Sequence, residues 1–249
     1  MNFSKFMKSP ESIYDQYVSR LVKCAPKVVI NSLCQDGVPV YRATVNPEIK
    51  PCIFVVGGIH GNESGGTYGM LDYLSSGKLP ESVRLEFFPV LNTSGFLSDT
   101  RNTASGRDMN RDVCSNKPSK PVSSLLEIAR KMMPKIFLTM HEDESIGNFY
   151  MYYSDAAMRP LWNEIVRMAS NSFGVASGDV HGDKCINGLI SHPSPKIIAS
   201  EPKHGCSIEN AVHDMGCPYA TIETPMNFSM SKRSLMAKKI IDRVIQAYS

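Results

Sequence analysis

A histidine and a carboxylate stand three residues apart in His60-Gly61-Asn62-Glu63, at the end of the apolar run over residues 52–59. Imidazole nitrogen and carboxylate oxygen are the donors that suit zinc and its neighbours among the transition metals. Two ligands do not make such a site, and His141 is the third candidate. It is the first polar residue after Lys135-Ile136-Phe137-Leu138-Thr139-Met140, the same position that His60 takes after its own apolar run. A His, Glu, His set leaves a coordination position open for water, the pattern of hydrolytic zinc. Zinc bound there would lower the water's pKa towards about 7 and polarise a substrate carbonyl. His181, His192, His204 and His213 lack comparable framing and are read as ordinary hydrogen-bonded loop residues.

A second group of residues lies in the polar run Arg101-Asn102-Thr103-Ala104-Ser105-Gly106-Arg107-Asp108-Met109-Asn110-Arg111-Asp112. Its mixture of arginine with Asn and Asp suits recognition of a carboxylate by a planar guanidinium. Asn110 with Arg111 is the candidate clamp for a terminal carboxylate, and Arg101 the candidate stabiliser of an oxyanion. Asp108 is placed to accept a hydrogen bond from a metal-binding histidine and so orient it. Glu223 closes the set, in Tyr219-Ala220-Thr221-Ile222-Glu223. The alternation puts Thr221 and Glu223 on one face, opposite Ala220 and Ile222. A carboxylate at that strand end could act as general base towards a metal-bound water.

These residues need a frame. Strands are expected over 27–32, 38–44, 52–59, 83–91, 136–140, 148–153 and 219–223, and helices over 67–74, 123–131, 156–170 and 230–248. A weaker helical pattern covers 11–22. Gly57 and Gly58 let the chain turn sharply after the third strand. Residues 92–121 and 172–204 read as long irregular segments, and loops of that length inside a compact domain are usually functional. Strands alternating with helices predict an α/β three-layer sandwich with a mixed, largely parallel central sheet flanked by helices. The expected organisation is one catalytic domain over 1–249, with 1–25 a peripheral N-terminal segment.

Composition narrows the function classes. The net charge of +3 is too small to argue for nucleic acid or an anionic membrane. No apolar stretch approaches the roughly 20 residues of a membrane helix, and the first ten residues lack the apolar centre of a secretory signal. A cytoplasmic location is therefore expected. The seven cysteines form no Cys-x-x-Cys pair, so a structural zinc ribbon is not expected. Free thiols are the preferred reading; a Cys206–Cys217 bridge is conceivable but has no export signal to support it.

In the order of these motifs the chain resembles the zinc carboxypeptidase family, compact bacterial members such as murein-peptide amidases included. The pattern His-x-x-Glu, Asn-Arg, His and late Glu falls here at His60/Glu63, Asn110-Arg111, His141 and Glu223. Leu91-Asn92-Thr93-Ser94-Gly95 is similar to the family's Asn-Pro-Asp-Gly stretch, and Ser207-Ile208-Glu209 to its Ser-Ile-Asp. The resemblance implies one zinc ion per chain on His60, Glu63 and His141, Glu223 as general acid/base, and Arg101 as the electrophilic arginine. It implies Asn110 and Arg111 as the clamp on a free carboxylate. Ile208 would stand where the family sets side-chain preference, which suggests a neutral pocket; Glu209 beside it leaves a basic side chain open. The family's mobile tyrosine has no counterpart in Ser200-Glu201-Pro202-Lys203-His204, which leaves Tyr150, Tyr152 or Tyr153 to approach from elsewhere. The implied activity is removal of a C-terminal residue from a peptide. The alternative is hydrolysis of an N-acyl amino acid, since the aspartoacylase and succinylglutamate desuccinylase group shares these motifs; a non-catalytic binding module is a third reading. No oligomeric state follows.

Overall fold

The computed structural model describes residues 10–23, 28–192 and 205–249. The stretch Ser200–His204, where the family tyrosine would stand, lies outside them, as does His204 itself.

Ten strands and seven α-helices follow in chain order among the described residues: α1 (Pro10–Lys23), β1 (Val28–Gln35), β2 (Val38–Val45), β3 (Cys52–Gly57), α2 (Ser64–Ser75), β4 (Arg84–Phe88), α3 (Thr93–Ser98), α4 (Lys120–Met132), β5 (Ile136–Asp143), β6 (Tyr150–Tyr153), α5 (Arg159–Phe173), β7 (Gly178–Val180), β8 (Asp183–Cys185), β9 (Leu189–Ser191), α6 (Ile208–Asp214), β10 (Tyr219–Pro225) and α7 (Met230–Tyr248). Eight strands form one sheet in the order β1-β2-β4-β3-β5-β10-β6-β9. The centre is parallel: β4 with β3, β3 with β5, and β5 with β10. Antiparallel pairs lie towards the edges, β1 with β2, β2 with β4, and β10 with β6. The mixed, largely parallel sheet flanked by helices is the architecture expected from the sequence.

Alternation along the central strands decides what each face carries. On β3, Ile53 and Val55 pack with Met70, Leu74, Ile240 and Val244 of α2 and α7. Phe54 and Val56 point the other way, into a smaller cluster with Leu125, Ala129 and Val212 of α4 and α6. The same period runs through β5, β10 and β6. Ile136, Leu138 and Met140, then Ala220 and Ile222, then Met151 and Tyr153, all enter the first cluster. Their alternate residues therefore share the opposite face: Thr139, His141 and Asp143 on β5, Tyr219, Thr221 and Glu223 on β10, Tyr150 and Tyr152 on β6. Burying the large apolar set under α2 and α7 thus turns every polar candidate towards α4 and α6.

Several expectations need correction. β5 does not stop at Met140 but continues, fully buried, through His141, Glu142 and Asp143. That polar tail reads as loop in sequence because its partners are other side chains of the site rather than apolar neighbours. The irregular stretch 172–204 contains the short strands β7, β8 and β9, and residues 92–121 contain α3. The free-thiol reading fails for two cysteines. Cys114 and Cys206 form a disulfide spanning 92 residues, while Cys52, Cys185 and Cys217 are free and buried. Cys206 is therefore bridged, but not to Cys217. The bond also withdraws the support that free thiols lent to a reducing compartment. No helix among the described residues is long and apolar enough to cross a membrane.

Candidate metal centre and substrate cavity

His60 sits just beyond β3, where Gly58 adopts φ +55° and turns the chain back. Gly61 then passes against the backbone of Gly95: a Cβ there would lie 2.0 Å from the Gly95 carbonyl carbon. Only glycine permits that approach, which brings the α3 segment beside the metal candidates. Asn92 fixes the same contact from the other side. Its Oδ1 accepts from the Gly95 N–H at 2.9 Å, and its amide donates to the Arg101 carbonyl at 3.0 Å. Glu63 directly precedes α2, and His141 enters from β5.

The three candidate ligands converge. Nδ1 of His60 lies 2.6 Å from Oε1 of Glu63, and Nδ1 of His141 lies 2.8 Å from Oε2 of the same carboxylate. One donor atom from each residue falls within 4.8 Å of the others, and all three residues are buried. The far nitrogen of each ring is anchored: Nε2 of His60 lies 3.2 Å from Oδ1 of Asp108, and Nε2 of His141 lies 3.1 Å from Oε1 of Glu209. With Nε2–H donated outward to a carboxylate, each ring offers Nδ1 inward as a lone pair, the tautomer a metal requires. Two oriented imidazoles and a carboxylate in a buried pocket thus fit a divalent ion such as zinc by chemistry and by proximity.

Electrostatics mark the same point. Burial pushes the Glu63 carboxyl up, but the charges and hydrogen bonds of His60 and His141 outweigh it and hold the group at about 2. For Glu209 burial is likewise outweighed, by the hydrogen bond and charge of His141, which hold it at about 2. Asp108, despite burial, is held well below the usual carboxylate range by His60, Arg101 and the Asn110 N–H. Glu223 goes the other way. Burial raises it well above its ordinary value; His141 opposes this, while Glu63, Asp143 and Glu209 add to it.

Register explains why Glu223 belongs here. It pairs with His141 across the parallel β5–β10 ladder and with Tyr150 across the antiparallel β10–β6 ladder. One row of the sheet therefore carries imidazole, carboxylate and phenol side by side. Beneath it, Thr139 donates to Thr221 at 3.0 Å.

A cavity of about 470 Å³ opens over this row; His60, Glu63, Arg101, Asn110, Arg111, His141 and Glu223 are all on its walls. Arg101 binds Asp108 through Nε and Nη2 at 3.1 and 3.0 Å, while its Nη1 stands 3.6 Å from Oε1 of Glu63. Arg111 is held by its Nη1 donating to the Asn110 carbonyl at 2.7 Å. Oδ1 of Asn110 accepts from the Ile208 N–H at 2.9 Å, which leaves the amide NH₂ as that side chain's remaining donor group.

Ile208 is placed differently from the expectation. Its side chain is completely buried in the cluster beneath the cavity, and Ser207, Glu209 and Asn210 line the wall instead. Glu209 is in turn committed to His141 and does not stand free for a basic substrate group. Of the three tyrosines expected to approach from elsewhere, Tyr150 and Tyr152 do line the far end of the cavity, and Tyr153 packs into the core of the opposite face. Asp143, His181 and Asp183 at that end were not read from the sequence. There Asp143 accepts from the Tyr150 hydroxyl and faces Nε2 of His181, both at 2.6 Å, and Tyr152 donates to Asp183 at 3.2 Å. The alternation His141/Asp143 is the signal that could have found Asp143. His192, read as an ordinary loop residue, lines the cavity with Nδ1 2.6 Å from the Tyr219 hydroxyl.

No family model matches the chain, and no curated protein matches it. Solved structures do. A proposed metallopeptidase from Shewanella baltica OS155 superposes with a TM-score of 0.81 at 22% identity, covering 95% of this chain and 92% of that one. A metallo-carboxypeptidase from Burkholderia cenocepacia gives 0.72 at 13% identity over 94% of this chain and 69% of its own. A succinylglutamate desuccinylase/aspartoacylase from Rhodobacter sphaeroides gives 0.60 at 18% identity, with 89% and 64% covered. The chain thus has the α/β fold shared by these metallopeptidases, metallo-carboxypeptidases and acyl-amino-acid hydrolases.

Proposed function

We propose that this protein is a zinc-dependent metallocarboxypeptidase that hydrolyses the amide bond next to a free C-terminal carboxylate. The observation that carries the reading is the convergence of two oppositely anchored imidazoles on Glu63, with Glu223 next to His141 in the sheet. His60, Glu63 and His141 would hold the ion, which when bound supplies a Lewis acid and lowers the pKa of a water.

The chain's own groups account for the remaining steps. Arg111 and the free NH₂ of Asn110 receive the substrate carboxylate at the cavity wall, a charge-assisted contact that fixes which bond is presented. Glu223, half-buried and raised by its surroundings, takes the proton from the attacking water and returns it to the departing amine. A carboxylate whose pKa is raised holds the transferred proton more readily between the two halves of that transfer than an ordinary one. Arg101, braced on Asp108 and close to Glu63, stabilises negative charge on the former carbonyl oxygen. Tyr150, opposite Glu223 and anchored on Asp143, bounds the substrate at the far side.

The likeness to a succinylglutamate desuccinylase/aspartoacylase favours a second reading, hydrolysis of a small N-acyl amino acid with the same groups. A neighbour from Pseudomonas aeruginosa, with a TM-score of 0.70, is a metallo-carboxypeptidase solved with (2-guanidinoethylmercapto)succinic acid, a ligand that carries carboxylates. Digestion of a peptide library with free and amidated C-termini, read by mass spectrometry, tests the proposal. Loss of single C-terminal residues from free acids alone is expected, and it should stop on chelation. Equal cutting of amidated peptides would contradict it, and turnover only of N-acetyl-aspartate or N-succinyl-glutamate would select the second reading.

A further inference from the structure

The wall that would receive the substrate carboxylate is assembled from two segments far apart in sequence. Asn110 and Arg111 come from the loop after α3; Ser207, Glu209 and Asn210 come from the start of α6. Each segment also supplies the carboxylate that orients one histidine, Asp108 for His60 and Glu209 for His141. Little secondary structure fixes the first segment: between α3 and α4 it has only a short 3₁₀ turn, Asp112–Cys114. Met109 and Val113 share an apolar cluster with Ile208 and Val212 of α6, and two directional links add to that packing. One is the hydrogen bond from the Ile208 N–H to Oδ1 of Asn110. The other is the Cys114–Cys206 disulfide, which begins three residues after Arg111 and ends immediately before Ser207, the residue that caps α6. The metal candidates belong to neither segment; they come from the end of β3, the start of α2, and β5.

We propose that the Cys114–Cys206 disulfide is a positioning device for this wall. It holds Asn110 and Arg111 in register with α6, so that its reduction weakens binding of a carboxylate-bearing substrate first. The metal candidates stay on β3, α2 and β5, and metal affinity falls by less than removal of Asp108 or Glu209 would cause. The inference rests on the reading of Asn110 and Arg111 as the carboxylate clamp. A redox-sensitive specificity follows: in a reducing medium the enzyme turns over but binds its substrate poorly.

The test compares oxidised and reduced forms of the same folded protein. Tris(2-carboxyethyl)phosphine takes an oxygen atom from water and is oxidised by two electrons to the phosphine oxide. The two sulfurs gain those electrons and one proton each, and the reagent is then removed by gel filtration. Oxidised glutathione restores the bond and leaves as two molecules of glutathione. Three quantities are read: metal content, kcat and KM on a free-acid peptide, and hydrogen–deuterium exchange at the Ile208 amide. Reduction should raise KM roughly tenfold or more with kcat changed less than about twofold, the signature of lost binding rather than lost chemistry. Metal content at saturating zinc should stay constant, exchange at Ile208 should quicken, and reoxidation should reverse the changes in KM and exchange. A double Cys114→Ser/Cys206→Ser variant should behave like the reduced form.

An unchanged KM in a protein that hydrolyses the peptide would overturn the proposal. So would global unfolding on reduction, which would make the bond a stability element. If the oxidised protein cuts no free-acid substrate, the functional reading fails, and the exchange measurement still decides the disulfide's role: unchanged protection at Ile208 on reduction would remove it.

Discussion

Two buried glutamates in this molecule show what separates a structural charge from a candidate catalytic one. Glu86, on β4, is completely inaccessible, and its oxygens are fully occupied by the chain's own donors. Oε1 accepts from Nε of Arg84 at 2.7 Å; Oε2 accepts from Nε of Arg42 at 2.7 Å and from the Thr44 hydroxyl at 2.8 Å. Glu63, on the far side of β3, is equally buried, but its main partners are two imidazoles whose inward nitrogens are metal donors, and a cavity reaches it. Permanent cations close the Glu86 site, since a guanidinium can neither give up its proton nor bind a metal. Imidazoles leave the Glu63 site able to exchange protons for an ion. The difference lies in the partners, not in the burial.

That contrast can be broken from either side. The largest effect is expected at the catalytic row: Glu223→Gln should retain metal and lower kcat by about 10³-fold, within the range for losing a general acid/base. Steady-state kinetics with a metal assay on the same sample checks both halves. Next, Glu86→Ala leaves two arginines without their buried partner and should destabilise the fold by about 3–5 kcal/mol, read by denaturant unfolding. Activity per folded molecule should be unchanged, because Glu86, Arg42, Arg84 and Thr44 are not among the residues on the cavity wall. Asp108→Asn and Glu209→Gln should have smaller effects than either. Each removes the anchor of one histidine and should weaken metal affinity by roughly 10- to 100-fold, measured by competition with a chelating dye.

How far these sites were legible in the sequence differs for physical reasons. His60, His141 and Glu223 each follow or end an apolar run, so the strand pattern points at them without a structure. Glu63 and Asp108 could be read because their spacing and type match a local ligand chemistry. Tyr150 and Tyr152 could be named as candidates from the strand expected over 148–153, but Asp143 escaped because β5 runs on through a polar stretch, and a strand end whose partners are polar gives no hydrophobic period. Glu209 was read as a neighbour of the substrate, and only the packing of α6 on β5 shows that its carboxylate reaches Nε2 of His141. The Cys114–Cys206 pair carried no spacing signal at all; a bond across 92 residues is fixed by the fold alone. The sheet itself was easier, because β3 and the start of β5 are continuous apolar runs and β10 alternates Ala220 and Ile222 with Thr221 and Glu223.

The smallest expected effect sharpens the structural side of the comparison. Cys52 lies near the Glu86 cluster, and burial together with the Glu86 charge pushes its thiol up to about 12, against the opposing pull of Arg84 and Arg42. A raised pKa keeps the thiol protonated at pH 8, so native protein should leave Cys52 unlabelled by iodoacetamide, with labelling appearing only on unfolding. Peptide mapping reads this directly.

The central claim is that Glu63, unlike Glu86, completes a metal site. Zinc stoichiometry, measured by emission spectrometry on protein prepared without chelator, tests it most directly in wild type and Glu63→Gln. One ion per chain in the wild type and essentially none in the variant is the predicted result. Equal zinc in both, or none in the wild type, would contradict it.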